Sequence, residues 1–457
     1  MSAQDATFLH VENDVTPMHI GGVSIFEGPP PSFDELSNMV DGKLHHTPRY
    51  RQKVRFVPLG VSEPMWVDDP YFDVAYHLRH TAVPAPGTGA QLRTMAARVF
   101  SQHLDRARPL WEIWMVEGLE HGRWALLSKV HHCMVDGVAA TDLMSVMFGD
   151  DAEPPPPAGA WNPGPEPSTA EVFVRGASHR LLSPAGQASA AVRARSELLR
   201  GTVRLMRAMA AAAPTLRPAT SSLTGPIGPH RVWSWANVSL ADVKEVRSAL
   251  GGTVNDVVLA IVTNGFRELL AERGEEVRPG RVVRTMVPVS VRAPDERGVY
   301  NNRVSAVFAR LPVGVDDPAE RLALIRDQMD EIKSSGQAVA GDVLAQLSGF
   351  APPLLLALGS RAATRSARLN MDTATTNVPG PQRPVHALGH RLLESYPYVP
   401  IVGTIRIVVA IFSYDGTLYF GVTGDRDHAG DIDVLTAGIQ SGLAELRERA
   451  AGAPAPA

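Results

Sequence analysis

Seven prolines fall within the 17 residues from 151 to 167, and this run constrains the fold more than any other feature of the sequence. A proline lacks a backbone N–H and has a fixed φ, so such a run cannot form a helix or an inner strand. It is typical of an extended connector. The sequence therefore predicts two folded bodies, residues 1–150 and 230–457, joined over residues 151–229 by a connector and a helix.

Both bodies alternate strand-like and helix-like stretches, which predicts an α/β fold with mixed sheets. In the first body the predicted strands are 18–26 and 124–131, and the predicted helices are 91–103 and 138–148. In the second body the predicted strands are 282–291, 303–312, 405–414 and 417–423, and the predicted helices are 254–273 and 317–334. The pair Asp415-Gly416 is typical of a hairpin turn between the last two strands.

Composition narrows the function classes. The 44 Lys and Arg residues against 48 Asp and Glu give a formal net charge of −4, which argues against a nucleic-acid partner. The single cysteine, Cys133, excludes an intrachain disulfide. The N-terminal region does not read as a signal peptide, and no apolar stretch reaches the roughly 18 residues of a spanning helix. We therefore expect a cytoplasmic protein.

Residues 189–213 form a predicted amphipathic helix with a basic face. Apolar residues recur along it at spacings of three and four, and arginines gather on an adjacent face at positions 193, 200, 204 and 207. The segment 171–217 contains eight Arg and two Glu, a local charge of +6. Two interpretations stay open. The helix packs on the protein with a solvated arginine face, or it lies on an anionic lipid surface, such as the inner face of the cell membrane or a lipid droplet.

The sequence His131-His132-Cys133-Met134-Val135-Asp136-Gly137 lies between a predicted strand and a predicted helix. Adjacent strand residues point to opposite faces, so the two histidines are expected to have different roles. A histidine is the usual general base near neutral pH. No Gly-x-Ser-x-Gly sequence is present to supply a nucleophilic serine, and Asp136 is expected to hold the turn. A metal site formed by His132 and Asp136, or a purely structural motif, are the alternatives.

This motif resembles the signature of the CoA-dependent acyltransferase and condensation-domain superfamily. The chain as a whole resembles the bacterial wax ester synthase/diacylglycerol acyltransferases. Four further stretches carry the resemblance: Asp-x-x-Phe and Pro17-Met18-His19 within residues 5–22, Pro109-Leu110-Trp111 within 104–112, Asn255-Asp256 within 252–257, and Asn377-Val378-Pro379-Gly380-Pro381.

The resemblance implies two chloramphenicol-acetyltransferase-like lobes with an active-site tunnel between them. It implies that His132 is the catalytic base and that His131, Asp136 and Gly137 complete the motif. His131 and Asp136 are then mostly structural. The implied reaction transfers an acyl group directly from acyl-CoA to diacylglycerol or a long-chain alcohol. Acyl-CoA is then a substrate, and neither a separate cofactor nor a metal is expected.

The supporting residues have competing interpretations. Asn255 is a candidate hydrogen-bond donor to the oxyanion of the reaction, but Thr253 and Asp256 also form a capping-box pattern around it. The resemblance pairs Arg292 with Asp136, whereas an exposed arginine is the alternative.

Two other motif stretches are expected to contribute structure rather than chemistry. Pro109, Leu110 and Trp111 are expected to pack. Residues 377–381, including Asn377, Pro379, Gly380 and Pro381, are expected to form a rigid loop beside the substrate channel.

Two other functions remain open from the sequence. The chain could be a condensation-type enzyme that acylates a different alcohol or an amine. It could also be a lipid-binding relative without turnover, although the intact motif argues against this interpretation.

Overall fold

Two six-stranded mixed sheets organise the protein in the computed structural model, which describes residues 1–134, 161–181, 221–290, 304–334 and 371–452. The strands are β1 (His19–Phe26), β2 (Gln52–Arg55), β3 (Met65–Asp68), β4 (Leu78–Ala82), β5 (Trp111–Glu117), β6 (Trp124–His131), β7 (Arg231–Ser239), β8 (Val283–Ser290), β9 (Val304–Leu311), β10 (Thr373–Pro379), β11 (His386–Ala387), β12 (His390–Tyr398), β13 (Ile407–Tyr414) and β14 (Thr417–Asp425).

Helices cover these sheets. Those described are α1 (Ala3–Val11), α2 (Phe33–Lys43), α3 (Val74–His77), α4 (Gly89–Phe100), α5 (Thr169–Leu181), α6 (Leu240–Leu250), α7 (Val254–Glu272), α8 (Pro318–Ser334) and α9 (Ile432–Ala451). The predicted strands and helices that fall within the described residues are confirmed, with ends that differ by at most three residues. The predicted helices 138–148 and 189–213 lie outside them, so the lipid-surface expectation stays a prediction.

The second half of the chain completes the first sheet. That sheet has the order β11-β12-β1-β6-β5-β4, so a hairpin from residues 386–398 is added to strands from residues 19–131. Strand β12 pairs antiparallel with β1, with Val23 opposite Tyr396. The second sheet, β7-β14-β13-β10-β8-β9, is built from the second half alone.

Strand β1 lies between β6 and β12 and approaches both closely because it carries two glycines. A Cβ atom on Gly21 would lie 1.8 Å from the carbonyl oxygen of Ser128, and one on Gly22 would lie 2.7 Å from the carbonyl oxygen of Tyr396. Neither position can hold a larger residue without moving backbone. The glycine pair therefore fixes the spacing of the strands on either side of β1.

Aromatic side chains fill the junction between the two sheets. Phe100, at the end of α4, stacks on Tyr398 of β12 with ring centroids 3.9 Å apart. Trp235 of β7 stacks on Tyr396 at 4.4 Å. The strands themselves meet at Gly421 of β14, where a Cβ atom would lie 1.7 Å from the carbonyl oxygen of Pro397. This close approach leaves no room for a side chain at position 421.

The core of the second lobe lies around α7, which packs on α9. Residues 256–266 of α7 are buried without interruption. Of the described helices, none is long and apolar enough to cross a membrane alone; α6 and α7 meet that criterion only as a pair, bent by 103°.

The predicted hairpin turn between β13 and β14 is confirmed. Asp415 and Gly416 have φ values of 41° and 79°, as a two-residue turn between twisted strands requires. Asparagine, aspartate and glycine are the residues that adopt such φ values most readily.

We predict that Gly421→Ala loosens the junction between the sheets. The added methyl group collides with the Pro397 carbonyl, so the free energy of unfolding should decrease by about 3 kcal/mol. Urea denaturation measures this. Gly430→Ala is the control, because position 430 is exposed and its nearest neighbour would be 3.9 Å from the new atom. Equal stability of the two variants would contradict the close approach.

Candidate active site

The end of β6 is held on both sides by backbone hydrogen bonds. The N–H of His131 donates to the carbonyl oxygen of Leu110 at 2.9 Å, and the N–H of His132 donates to that of Met18 at 2.8 Å. Strand β6 lies between β1 and β5 in the sheet, so it draws one partner from each neighbouring chain segment. Three stretches that are distant in sequence, around residues 18, 110 and 131, therefore meet at one point.

His131 is buried, and contacts fix the protonation of its ring. Its Nδ1 accepts a hydrogen bond from the N–H of Cys133 at 3.1 Å, so this nitrogen is unprotonated. Its Nε2 lies 3.0 Å from a carboxylate oxygen of Glu12, which only accepts, so Nε2 carries the proton. With both nitrogens engaged inside the protein, this imidazole is held as one tautomer in one orientation.

Glu12 is the acidic partner that the sequence patterns did not single out. Its carboxylate accepts hydrogen bonds from His131, from the N–H of Met18 at 3.0 Å and from Arg106 at 3.0 Å. Burial alone would raise the pKa of Glu12, but the hydrogen bonds from His131 and the Met18 N–H and the charge of Arg106 lower it to about 2. Glu12 and Arg106 both lie within the stretches that carry the family resemblance, which was the available signal.

His132 begins a short 3-10 turn directly after β6 and is only partly buried. Phe8 of α1 stacks on its imidazole, with ring centroids 3.8 Å apart and planes inclined by 14°. Nδ1 of His132 is buried and has no hydrogen-bond partner among the described residues. Burial lowers the pKa of His132 to about 4. The imidazole is therefore neutral throughout the physiological pH range.

Two further titratable groups lie beside the histidines. Burial raises the pKa of the Cys133 thiol, which keeps it protonated and unreactive. Lys129 of β6 is fully buried, and its ammonium donates to the carbonyl oxygen of Gln102 at 2.8 Å. Burial lowers the pKa of Lys129 to about 8, opposed by the charges of Glu112 and Glu12. Neither group is arranged as a nucleophile.

The stretch Pro109, Leu110 and Trp111 packs beneath the histidines. Leu110 and Trp111 are buried, and the indole N–H of Trp111 donates to the carbonyl oxygen of Tyr50 at 2.8 Å. His77 stacks on the Trp111 indole at 4.5 Å. The Leu110 carbonyl also accepts from the N–H of His131. The stretch therefore supports the end of β6 through packing and one backbone hydrogen bond.

The two candidate asparagines lie together at the start of α7. Thr253 and Asp256 form the capping box, in which the Asp256 carboxylate accepts from the Thr253 N–H at 2.8 Å. Asn255 lies in the first turn, and its Oδ1 accepts a hydrogen bond from the Asn377 side chain at 3.4 Å. Among the described residues, no hydrogen bond or ion pair joins either asparagine to His132.

The expectation of a loop over residues 377–381 is wrong for its first three residues. Asn377, Val378 and Pro379 continue strand β10 and pair in parallel with β13, Pro379 opposite Ser413. A proline is tolerated there because β8 pairs only with residues 373 and 374, so no described strand needs the missing N–H on that side. Gly380 and Pro381 follow the strand.

Asp136, Gly137 and Arg292 lie outside the described residues, so the proposed ion pair between Asp136 and Arg292 stays a prediction. Within the described ranges, no group of three His, Cys, Asp or Glu side chains is placed to hold a metal ion.

Models of one protein family match both halves of the chain. The family model described as the wax ester synthase/diacylglycerol acyltransferase catalytic domain matches residues 1–258, and the C-terminal domain model of the same family matches residues 300–447. The chain belongs to this family. The acyltransferase is 37% identical over 450 residues to a probable diacylglycerol O-acyltransferase of Mycobacterium tuberculosis H37Rv, covering 98% of this chain and 95% of the relative.

Solved structures agree with this membership. The wax ester synthase/diacylglycerol acyltransferase of Marinobacter aquaeolei VT8 superimposes with a TM-score of 0.69 at 26% identity, covering 98% of both chains. The first condensation domain of the calcium-dependent antibiotic synthetase has a TM-score of 0.63 at 17% identity, covering 99% of this chain and 96% of that one, which is a likeness of fold. The expected two-lobed, chloramphenicol-acetyltransferase-like fold is confirmed.

We predict that Glu12→Gln destabilises the acyltransferase in a pH-dependent manner. A carboxylate whose pKa falls from 4.5 to about 2 on folding contributes about 3 kcal/mol of stability above pH 4.5. This contribution disappears as the pH falls from 4.5 towards 2. The variant should therefore be less stable than the wild type by about this amount at pH 7.

Urea denaturation at pH 7 and at pH 3 measures the effect, and the difference between the two proteins should shrink at the lower pH. Glu272→Gln, at an exposed position on the last residue of α7, is the matched control and should change little. A Glu12→Gln protein as stable as this control at pH 7 would show that Glu12 does not support the fold.

Proposed function

We propose that the acyltransferase transfers a long-chain acyl group from acyl-CoA to diacylglycerol, with His132 as general base. The observation that carries the proposal is the state of His132, a neutral and partly exposed imidazole at the end of β6, beside a histidine whose two nitrogens are already engaged. Of the two motif histidines, His132 is the one whose side chain is only partly buried.

The proposed reaction uses His132 as a shuttle for one proton. Because Nδ1 is buried, Nε2 is the nitrogen assigned to the substrate. It accepts the proton of the acceptor hydroxyl while the oxygen attacks the carbonyl carbon of the thioester. The tetrahedral intermediate then expels the CoA thiolate, which takes the proton from the imidazolium. An ester and free CoA result, and no acyl-enzyme is formed.

Asn255 is proposed to donate to the oxyanion of this intermediate. Its amide oxygen already accepts from Asn377, which orients the amide and leaves its N–H groups for another acceptor. A lost oxyanion donor costs about 10²- to 10³-fold in kcat where such a site is preformed. The pair joins the start of α7 to the end of β10, so both segments are proposed to line the acceptor side of the site.

The acceptor alcohol has two candidates. The mycobacterial relative is named a diacylglycerol O-acyltransferase, whereas the Marinobacter relative is named a wax ester synthase and diacylglycerol acyltransferase. A long-chain alcohol is therefore the second candidate acceptor. Purified protein with labelled palmitoyl-CoA and either diolein or hexadecanol separates the two by the neutral lipid formed. Absence of lipid and free thiol with both acceptors would contradict the proposal.

We predict that His132→Ala lowers kcat with diolein by about 10²- to 10⁴-fold, because general-base assistance is lost. His131→Ala should have a smaller effect on kcat and a larger effect on stability, because His131 contacts Glu12 rather than substrate. Thiol release and urea denaturation are measured on both variants. The reverse order of activities would contradict the assignment of the base.

A further inference from the structure

Helix α1 places an aromatic ring on the imidazole that the proposed function uses as its base. The helix is capped at its start by Ser2, whose side chain accepts from the N–H of Asp5, and it ends at Val11 with Glu12 as its C-cap. Ala6 and Leu9 are buried, and Leu9 packs in a cluster with Leu104, Leu110 and Cys133. Phe8 lies beside this cluster and covers one face of His132 at 3.8 Å.

The far end of the helix is attached to the same strand end. Glu12 follows α1 directly and binds His131, while Arg106 binds both the Glu12 carboxylate and the Leu9 carbonyl at 3.1 Å. The position of Phe8 is therefore fixed relative to the histidine pair, one turn of helix away from the ionic contact. Nδ1 of His132 has no hydrogen-bond partner among the described residues. The stacked Phe8 ring is therefore a contact that orients the imidazole where a hydrogen bond on Nδ1 does not.

We propose that Phe8 is a positioning residue for the reaction, which fixes the plane of the His132 ring and excludes water from one face of it. The inference rests on the proposed function, in which His132 is the base. A stacked ring limits rotation of the imidazole about its side-chain bond, so Nε2 stays directed at the hydroxyl oxygen. It also keeps water away from the imidazole, which disfavours the imidazolium at rest.

Substitution of Phe8 leaves the charged side chains around His132 in place. His131 is the titratable side chain beside His132. The groups whose charges act on the adjacent Cys133 are Asp5, Glu12, Arg49 and Arg106. A change in the pH profile on loss of Phe8 therefore reports hydration of His132 rather than loss of an ion pair.

The test is a pair of substitutions at Phe8 with a control on the same helix. Phe8→Ala opens the face of His132 to water, and we expect kcat to fall about 10- to 100-fold. Between pH 5 and 7 the wild-type rate should be flat, whereas the Phe8→Ala rate should decline below about pH 6.5, the ordinary pKa of histidine. Phe8→Leu keeps the apolar cover without the flat ring, so it should lose part of kcat and keep the flat profile.

Leu9→Ala is the matched control, because it removes a buried side chain of α1 that packs on the core cluster and leaves the ring on His132. It should lower stability and keep the flat pH profile. If Leu9→Ala reproduces the kcat and pH profile of Phe8→Ala, or if Phe8→Ala retains the wild-type kcat and profile, the positioning role is wrong. Failure of the proposed function is distinct, since His132→Ala would then retain activity.

Discussion

The site depends on the backbone hydrogen bonds that hold the end of β6 between its two neighbours. Leu110 and Met18 each offer a carbonyl oxygen to one histidine N–H, so the doublet cannot shift in register without losing both bonds. His131 is the last residue of β6 and His132 begins the 3-10 turn, so the two rings enter different surroundings. The His131 ring is buried and hydrogen-bonded to Glu12, whereas the His132 ring is partly exposed and stacks on Phe8. A single arrangement of strands therefore gives two identical residues different environments.

The same strand order ties the site to the second lobe. Met18, whose carbonyl accepts from His132, directly precedes β1, and β1 is paired on its other edge with β12 from the second half of the chain. Strand β12 packs in turn against Gly421 of the second sheet. The two sheets are thus joined through continuous backbone contacts, and the histidine pair lies one strand away from that junction. Loss of the junction would displace β1 and, through β1, the end of β6 that carries the histidine pair.

Local patterns were readable from the sequence, whereas long-range pairing was not. The Asp415-Gly416 turn and the capping box of α7 depend on residues a few positions apart, and both are present. Glu12 binds a histidine 119 residues away, and no periodicity connects the two. Likewise the prolines in 377–381 suggested a loop, because sequence does not reveal that one side of β10 is left unpaired there.

The central claim is that hydrogen bonds lock His131 in one tautomer while burial keeps His132 neutral. Nitrogen-15 NMR of histidine-labelled protein, assigned with His131→Gln and His132→Gln, tests it directly. The prediction is that His131 carries its proton on Nε2, and that His132 gains a second proton only near pH 4. A His132 signal that titrates near pH 6.5, or a His131 ring protonated on Nδ1, would contradict the account.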